Sequence, residues 1–167
     1  LESEVSVMDV IEAPFSRYKQ KNYLIVALIL AAAAVLFAYD GYVSRYPWSG
    51  RYEFYRKHVL DNGGRPDSDM KFNLYSPPFF LAAAAVMAVL YYRSKGRKLI
   101  ADQTGLHTEK GKIPYDAIES IDKTYFDKKG YFTITYRDNG QIRRLTLSDR
   151  NYDNLPELLD TLVSKIS

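Results

Sequence analysis

The chain has 167 residues, 47% of them apolar, a mean hydropathy of −0.29, and 23 basic against 20 acidic side chains for a net charge of +3. That length suits one domain, or a small domain with a pair of membrane spans, and the near-balanced charge points neither to a nucleic-acid binder nor to an acidic tail protein. There is no cysteine, which excludes disulfide frameworks, thiolate metal sites and Cys nucleophiles, and the two histidines, His58 and His107, are far apart.

Residues 1–22 read as an N-terminal cytoplasmic segment. Glu2, Glu4, Asp9 and Glu12 lie among Val5, Val7, Met8, Val10 and Ile11, which suits either a small amphipathic helix or an adhesive tail. Upstream processing before Leu1 and further upstream sequence both stay open. The first apolar block follows, an expected transmembrane helix over residues 23–40 with no charge from Tyr23 to Tyr39. At about 1.5 Å per residue it covers roughly 26 Å, close to the ~30 Å of a hydrocarbon core. Its length, the lack of an Ala-x-Ala site after it and the polar segment before it argue for a retained span rather than a signal peptide.

Residues 41–73 form the expected extracytoplasmic loop. Gly50 to Leu60 is a short helical candidate closed by Asp61-Asn-Gly-Gly64, with Tyr52, Phe54, Tyr55, Val59 and Leu60 available to a membrane surface or a partner. Asp67-Ser-Asp69 has the form of the acid pair of some metal-dependent glycosyltransferases. With no nucleotide-binding fold around it, it reads as a solvated loop. A second span is expected over 74–92, with Pro77 and Pro78 in its first turn and Ser76 as N-cap.

The flanks set the orientation. Arg17, Lys19 and Lys21 crowd the start of span one, and Arg93, Lys95, Arg97 and Lys98 the end of span two, whereas the loop's basic residues are dispersed among acids. Dense Lys/Arg beside a span stays cytoplasmic, so both termini are expected inside, with an inverted insertion as the rival. Tyr91, Tyr92 and Trp48 fall at the boundaries, as in an interfacial aromatic belt, and with the four basic residues Arg93 to Lys98 they are the expected lipid contacts. Each span carries an alanine quartet, Ala31, Ala32, Ala33, Ala34 and Ala82, Ala83, Ala84, Ala85, at similar depth in an antiparallel hairpin. Small residues let helix backbones approach, within the hairpin or against a partner's helix.

Beyond Lys98 the pattern turns to short strands. Leu99-Ile-Ala and Leu106-His-Thr bracket a turn, Ile113-Pro-Tyr leads to Ile118–Phe126, and Tyr131–Tyr136 alternates cleanly. Asn139-Gly140 before Gln141–Leu147 is a strong hairpin signal. A final helix, capped by Asn154, aligns Leu155, Leu158, Leu159, Leu162, Val163 and Ile166 on one stripe. These elements imply a small curved antiparallel sheet of five or six strands closed by the C-terminal helix.

Gly105-Leu106, then Lys112-Ile113-Pro114-Tyr115-Asp116-Ala117-Ile118-Glu119-Ser120-Ile121 and the Leu-rich helix from Leu155 resemble the bacterial pleckstrin-homology-like (bPH) domains that follow membrane spans, over about residues 97–167. The resemblance implies a binding module tied to assembly at membranes, and carries no chemistry. The full expectation is a membrane α-helical hairpin of two transmembrane helices plus a small cytoplasmic α+β PH-like domain.

Catalytic patterns are weak. Gly105-x5-Gly111-Lys112 is one residue too long for a phosphate-binding loop and lacks its Ser/Thr. His58 and His107 fall on opposite sides of the membrane in this topology, His107 lacks an evident partner, and no ionisable residue lies inside either span. Residues 98–167 hold eleven basic and eleven acidic side chains, and Lys110/Lys112 and Lys128/Lys129 read as solvated hairpin tips. The expectation is therefore no catalytic residues, no cofactor, no metal, no small-molecule substrate and no nucleic acid. The partners expected are membrane lipids and other integral membrane subunits, with the chain a scaffold or accessory subunit of a larger assembly, for example a respiratory or photosynthetic complex. The alternative is a membrane-anchored sensor of anionic lipid through Arg93 to Lys98 and Lys128/Lys129. A membrane enzyme using Asp67 and Asp69 is a third reading.

Overall fold

A computed structural model describes residues 10–166. The chain forms two compact units, one made of residues 1–20 and 93–167, the other of residues 21–92. The second is inserted between the first and second strands of the first.

In the sheet unit, β1 (Ile11–Pro14), β2 (Lys98–Ala101), β3 (Gly105–Thr108) and β4 (Gly111–Pro114) form an antiparallel sheet in that order. A second antiparallel sheet holds β5 (Ile118–Asp122), β6 (Tyr131–Asp138) and β7 (Gln141–Ser148). The single curved sheet expected from the sequence is thus two ladders, and no barrel closes among the described residues. Pro114, which has no N–H for a ladder, and the 3₁₀ turn Tyr115–Ala117 separate β4 from β5. The six strands after residue 97 match the expected number, but β1 was not foreseen. Where the sequence suggested a helix or a tail, Ile11 to Pro14 pairs with Ala101 to Lys98. The part of that expectation resting on residues 1–9 lies outside the described residues.

The β6–β7 hairpin turns at Asn139 and Gly140 with φ of 49° and 79°, the two positive values a type I′ turn demands. Helix α5 (Phe126–Lys129) lies between β5 and β6, so Lys128 and Lys129 sit in a helical turn rather than at a hairpin tip. Helix α6 (Leu155–Ile166) buries Leu155, Leu158, Leu159 and Leu162 against both sheets, with Ala13, Leu99, Leu106, Phe132, Ile134 and Leu147 in the same core. Each of the leucine, isoleucine and phenylalanine side chains contributes about 1.5–3 kcal/mol of burial. At the start of this helix Asn154 Nδ2 donates to the Glu12 carbonyl at 3.2 Å, fastening β1 there.

In the helical unit, α1 (Arg17–Ala38, beginning in the sheet unit) continues through a π-helical turn, Tyr39–Val43. Then come α2 (Tyr52–Tyr55), a π turn Arg56–Leu60, α3 (Ser68–Tyr75) and α4 (Pro77–Ser94). The helix Arg17–Val43 is long and apolar enough to cross a membrane, and only 11% of its most apolar stretch is buried. Helices α3 and α4 meet the same measure only as a pair bent by 41°. Over the expected second span, 74–92, helix α4 begins at Pro77, and α3 forms where loop was expected.

Candidate functional site

The prolines explain that bend. Pro77 and Pro78 have no N–H, so the carbonyls of Asn73 and Leu74 lose their partners four residues on. The Tyr42 hydroxyl donates to the Leu74 carbonyl at 2.6 Å. A Cβ on Gly41 would lie 2.5 Å from the Asn73 carbonyl oxygen, so the π turn can rest against α3 only because residue 41 is glycine. Ser76 does not act as the expected N-cap: its dihedrals are helical, and its Oγ is buried without a hydrogen bond.

Along the hairpin, helical geometry splits the alanine quartets. Ala34 and Ala84 are buried, Ala31 and Ala33 and Ala83 are half-buried, and Ala32, Ala82 and Ala85 are exposed. Ala27, outside either quartet, is buried as well. Rather than closing the helices together throughout, Ala27, Ala31, Ala84, Ala85 and Ala88 line an apolar cleft of about 370 Å³ with Leu28 and its neighbours. The wider packing is aromatic, with the Phe37 ring 5.2 Å from both Phe72 and Phe80.

Two His–carboxylate pairs escaped the sequence reading. Asp67 N-caps α3, its Oδ1 accepting from Met70 N at 3.0 Å, while His58 Nδ1 lies 2.7 Å from Asp67 Oδ2 and 3.8 Å from Asp69 Oδ2. Asp67 is therefore not a freely solvated loop residue. The Met70 N–H first, and His58 next, hold its pKa below the ordinary carboxylate value. His58, Asp67 and Asp69 each offer one ligand atom within 4.8 Å of the others, the one trio among the described residues that could hold a metal ion. In the sheet unit, His107 does have a partner: its Nε2 is 2.8 Å from Asp102 Oδ2. Asp102 Oδ1 accepts from Thr104 Oγ1 and N and from Gly105 N. The Thr104 hydroxyl above all, then its N–H, then His107, lower the Asp102 pKa. Thr104 bonds to the carboxylate and not to His107, so the cluster locks a turn and forms no nucleophile–base pair.

The expected lipid contacts fall into two groups. Trp48 is 73% exposed and stacks on Tyr46, Tyr92 is exposed, Tyr91 is half-buried against it, and Arg93 and Lys95 are exposed. Arg97 and Lys98 are instead engaged within the sheet unit. Arg97 bonds Glu109 and lies 5.0 Å over the Phe15 ring, and Lys98 Nζ lies 2.5 Å from Glu12 Oε1. Tyr152 donates to Glu109 at 3.2 Å, and burial first, the Glu109 charge second, raise its pKa.

Around these residues the chain leaves and re-enters the sheet unit. Phe15 N donates to the Arg97 carbonyl at 2.9 Å, and Gln20 Nε2 bridges the carbonyls of Phe15 and Ser94. Ser16 N donates to Asn151 O, Lys19 Nζ to Asn151 Oδ1, and Arg17 N to Asp153 Oδ2. The start of α1 and the end of α4 are thereby fastened to one place. No family model, curated protein or solved structure matches the chain.

Proposed function

We propose that the chain is a non-catalytic, two-span protein of the cytoplasmic membrane, whose sheet unit is a cytoplasmic PH-like docking module, and that it serves as an accessory or scaffold subunit of a larger membrane assembly. The observation that carries this reading is the insertion of the helical unit between β1 and β2. A segment whose two ends are hydrogen-bonded at Phe15–Arg97 and Gln20–Ser94 crosses a membrane an even number of times. With α1 as one crossing, the bent pair α3–α4 is the return. The positive residues Arg17, Lys19, Lys21, Arg93 and Lys95 at those ends put the sheet unit on the cytoplasmic side.

Seven strands in sheets of four and three, closed by one amphipathic helix, support the PH-like resemblance, with β1 as the strand that the region after 97 lacks. The His–carboxylate pairs hold turns and helix ends, which favours binding over chemistry.

The absence of cysteine allows a clean test of topology. Trp48→Cys and Arg144→Cys, each as the sole thiol, are treated with a membrane-impermeant maleimide on intact cells. Labelling at 48 and protection at 144 are expected; labelling at 144 sinks the orientation. Mild-detergent purification with mass spectrometry tests the role, for which stoichiometric co-purifying membrane subunits are expected. A lone chain overturns the accessory-subunit reading.

A further inference from the structure

The balanced charge of residues 98–167 hides an uneven distribution. Lys128, Lys129 and Arg150 line an open pocket of about 460 Å³ together with Tyr131, Thr146 and Ser148. Neither neighbouring acid, Asp127 or Asp149, lines it. Asp149 packs its carboxylate against Gly130, which is left-handed at φ 69° and ends α5, and where a Cβ would overlap that carboxylate. Lys129 Nζ rests 4.7 Å from the Tyr125 ring, which itself stacks on Tyr131. Three cations and three hydroxyls suit one ligand chemistry, a phosphate ester whose oxygens accept several charge-assisted bonds.

Its position narrows the source of that phosphate. Asp149 N donates to the Gly130 carbonyl, and two residues on, Asn151 accepts from Ser16 N and Lys19 Nζ. The pocket thus stands beside Ser16 and Lys19, and chain connectivity alone keeps these near the headgroups in the membrane reading, since the uncharged run starts at Tyr23. We propose that this pocket binds the phosphate of an anionic phospholipid headgroup, with Lys128, Lys129 and Arg150 as its cations. The proposal rests on the two-span reading.

The test uses the full chain in nanodiscs containing phosphatidylcholine with or without phosphatidylglycerol, and native mass spectrometry of retained lipid. Wild type is expected to retain phosphatidylglycerol preferentially. Lys128→Gln with Lys129→Gln and Arg150→Gln should lower that preference roughly a hundredfold, since each basic side chain near an anionic surface is worth about fivefold. Lys110→Gln with Lys123→Gln and Lys165→Gln removes the same charge elsewhere in the unit and should leave most of the preference. Equal retention by the pocket variant, an equal loss in the second variant, or no preference in wild type overturns the headgroup site. Inorganic phosphate that binds the pocket in neutral nanodiscs as tightly as the lipid does assigns it to a soluble phosphate and overturns the lipid source. A chain that carbonate strips from native membranes overturns the two-span reading instead, so the two failures are distinguishable.

Discussion

The same residue types behave oppositely in the two units. In the sheet unit Phe132 and Leu158 are fully buried, whereas in the helical unit Leu36 is 67% and Phe79 75% exposed. Water tolerates scattered exposed leucines but not a continuous apolar belt on two adjoining helices. The sheet unit solves its hydrophobic problem internally, with α6 laid on two sheets. The helical unit hands its problem to the surroundings and spends its polar bonds at the ends, on Tyr42, Asp67 and His58.

The contrast can be broken by truncation to alanine in each unit. Phe132→Ala should cost about 3–5 kcal/mol and unfold much of the sheet unit, while Leu36→Ala should change stability by no more than about 0.5 kcal/mol, both read by denaturation of the detergent-solubilised chain. Comparable losses would mean that Leu36 sits in a packed core. A charge discriminates in the other direction. Val35→Arg should penalise insertion by about 2.5–3.5 kcal/mol, seen as a larger non-integrated fraction after membrane-coupled translation; unchanged integration would show that α1 does not span.

A smaller effect sharpens the account of the bend. Gly41→Ala forces a methyl onto the Asn73 carbonyl and should cost about 1–3 kcal/mol, with faster proteolysis of the segment between the apolar helices. Wild-type resistance would mean that the π turn does not need its close approach. The smallest effect is pH dependence, with one carboxylate in each unit. Asp67 and Asp102 have native pKa values depressed below the unfolded value of about 3.9. Their contribution is therefore present above about pH 4 and is lost as pH falls through the depressed native values. Asp102→Asn should flatten the acid limb of sheet-unit stability and leave the helical unit's unchanged; an unaltered limb would deny the Thr104–His107 turn any part in it.

What could be read in the residues was whatever has a local period or a local turn code. The stripe from Leu155, the Asn139-Gly140 hairpin and the uncharged run from Tyr23 needed no distant partner. Strand β1 was illegible because four residues ending in Pro14 carry almost no period, and their partners begin at Lys98. His58 and Asp67 were missed for a related reason, since a π turn and a helix cap bring them together across nine residues. Of the lipid-contact set, Arg97 and Lys98 were assigned by proximity to a span, although their counter-charges Glu109 and Glu12 lie on strands. The pocket at Lys128 required two separate segments, 128–131 and 146–150, to meet, and only the basic pair among them was visible in the sequence.

The placement of β1 also governs the order of synthesis. Glu12 leaves the ribosome 86 residues before Lys98, a delay of about 4–17 s at ordinary elongation rates of about 5–20 residues per second. Throughout that interval β1 lacks its partner strand, and in the two-span reading proposed above the apolar segments between are delivered to the bilayer before the ladder zips. On that reading, completion of the sheet unit reports that membrane delivery has already taken place, and a misdelivered hairpin leaves behind an unpaired strand edge that quality control can find.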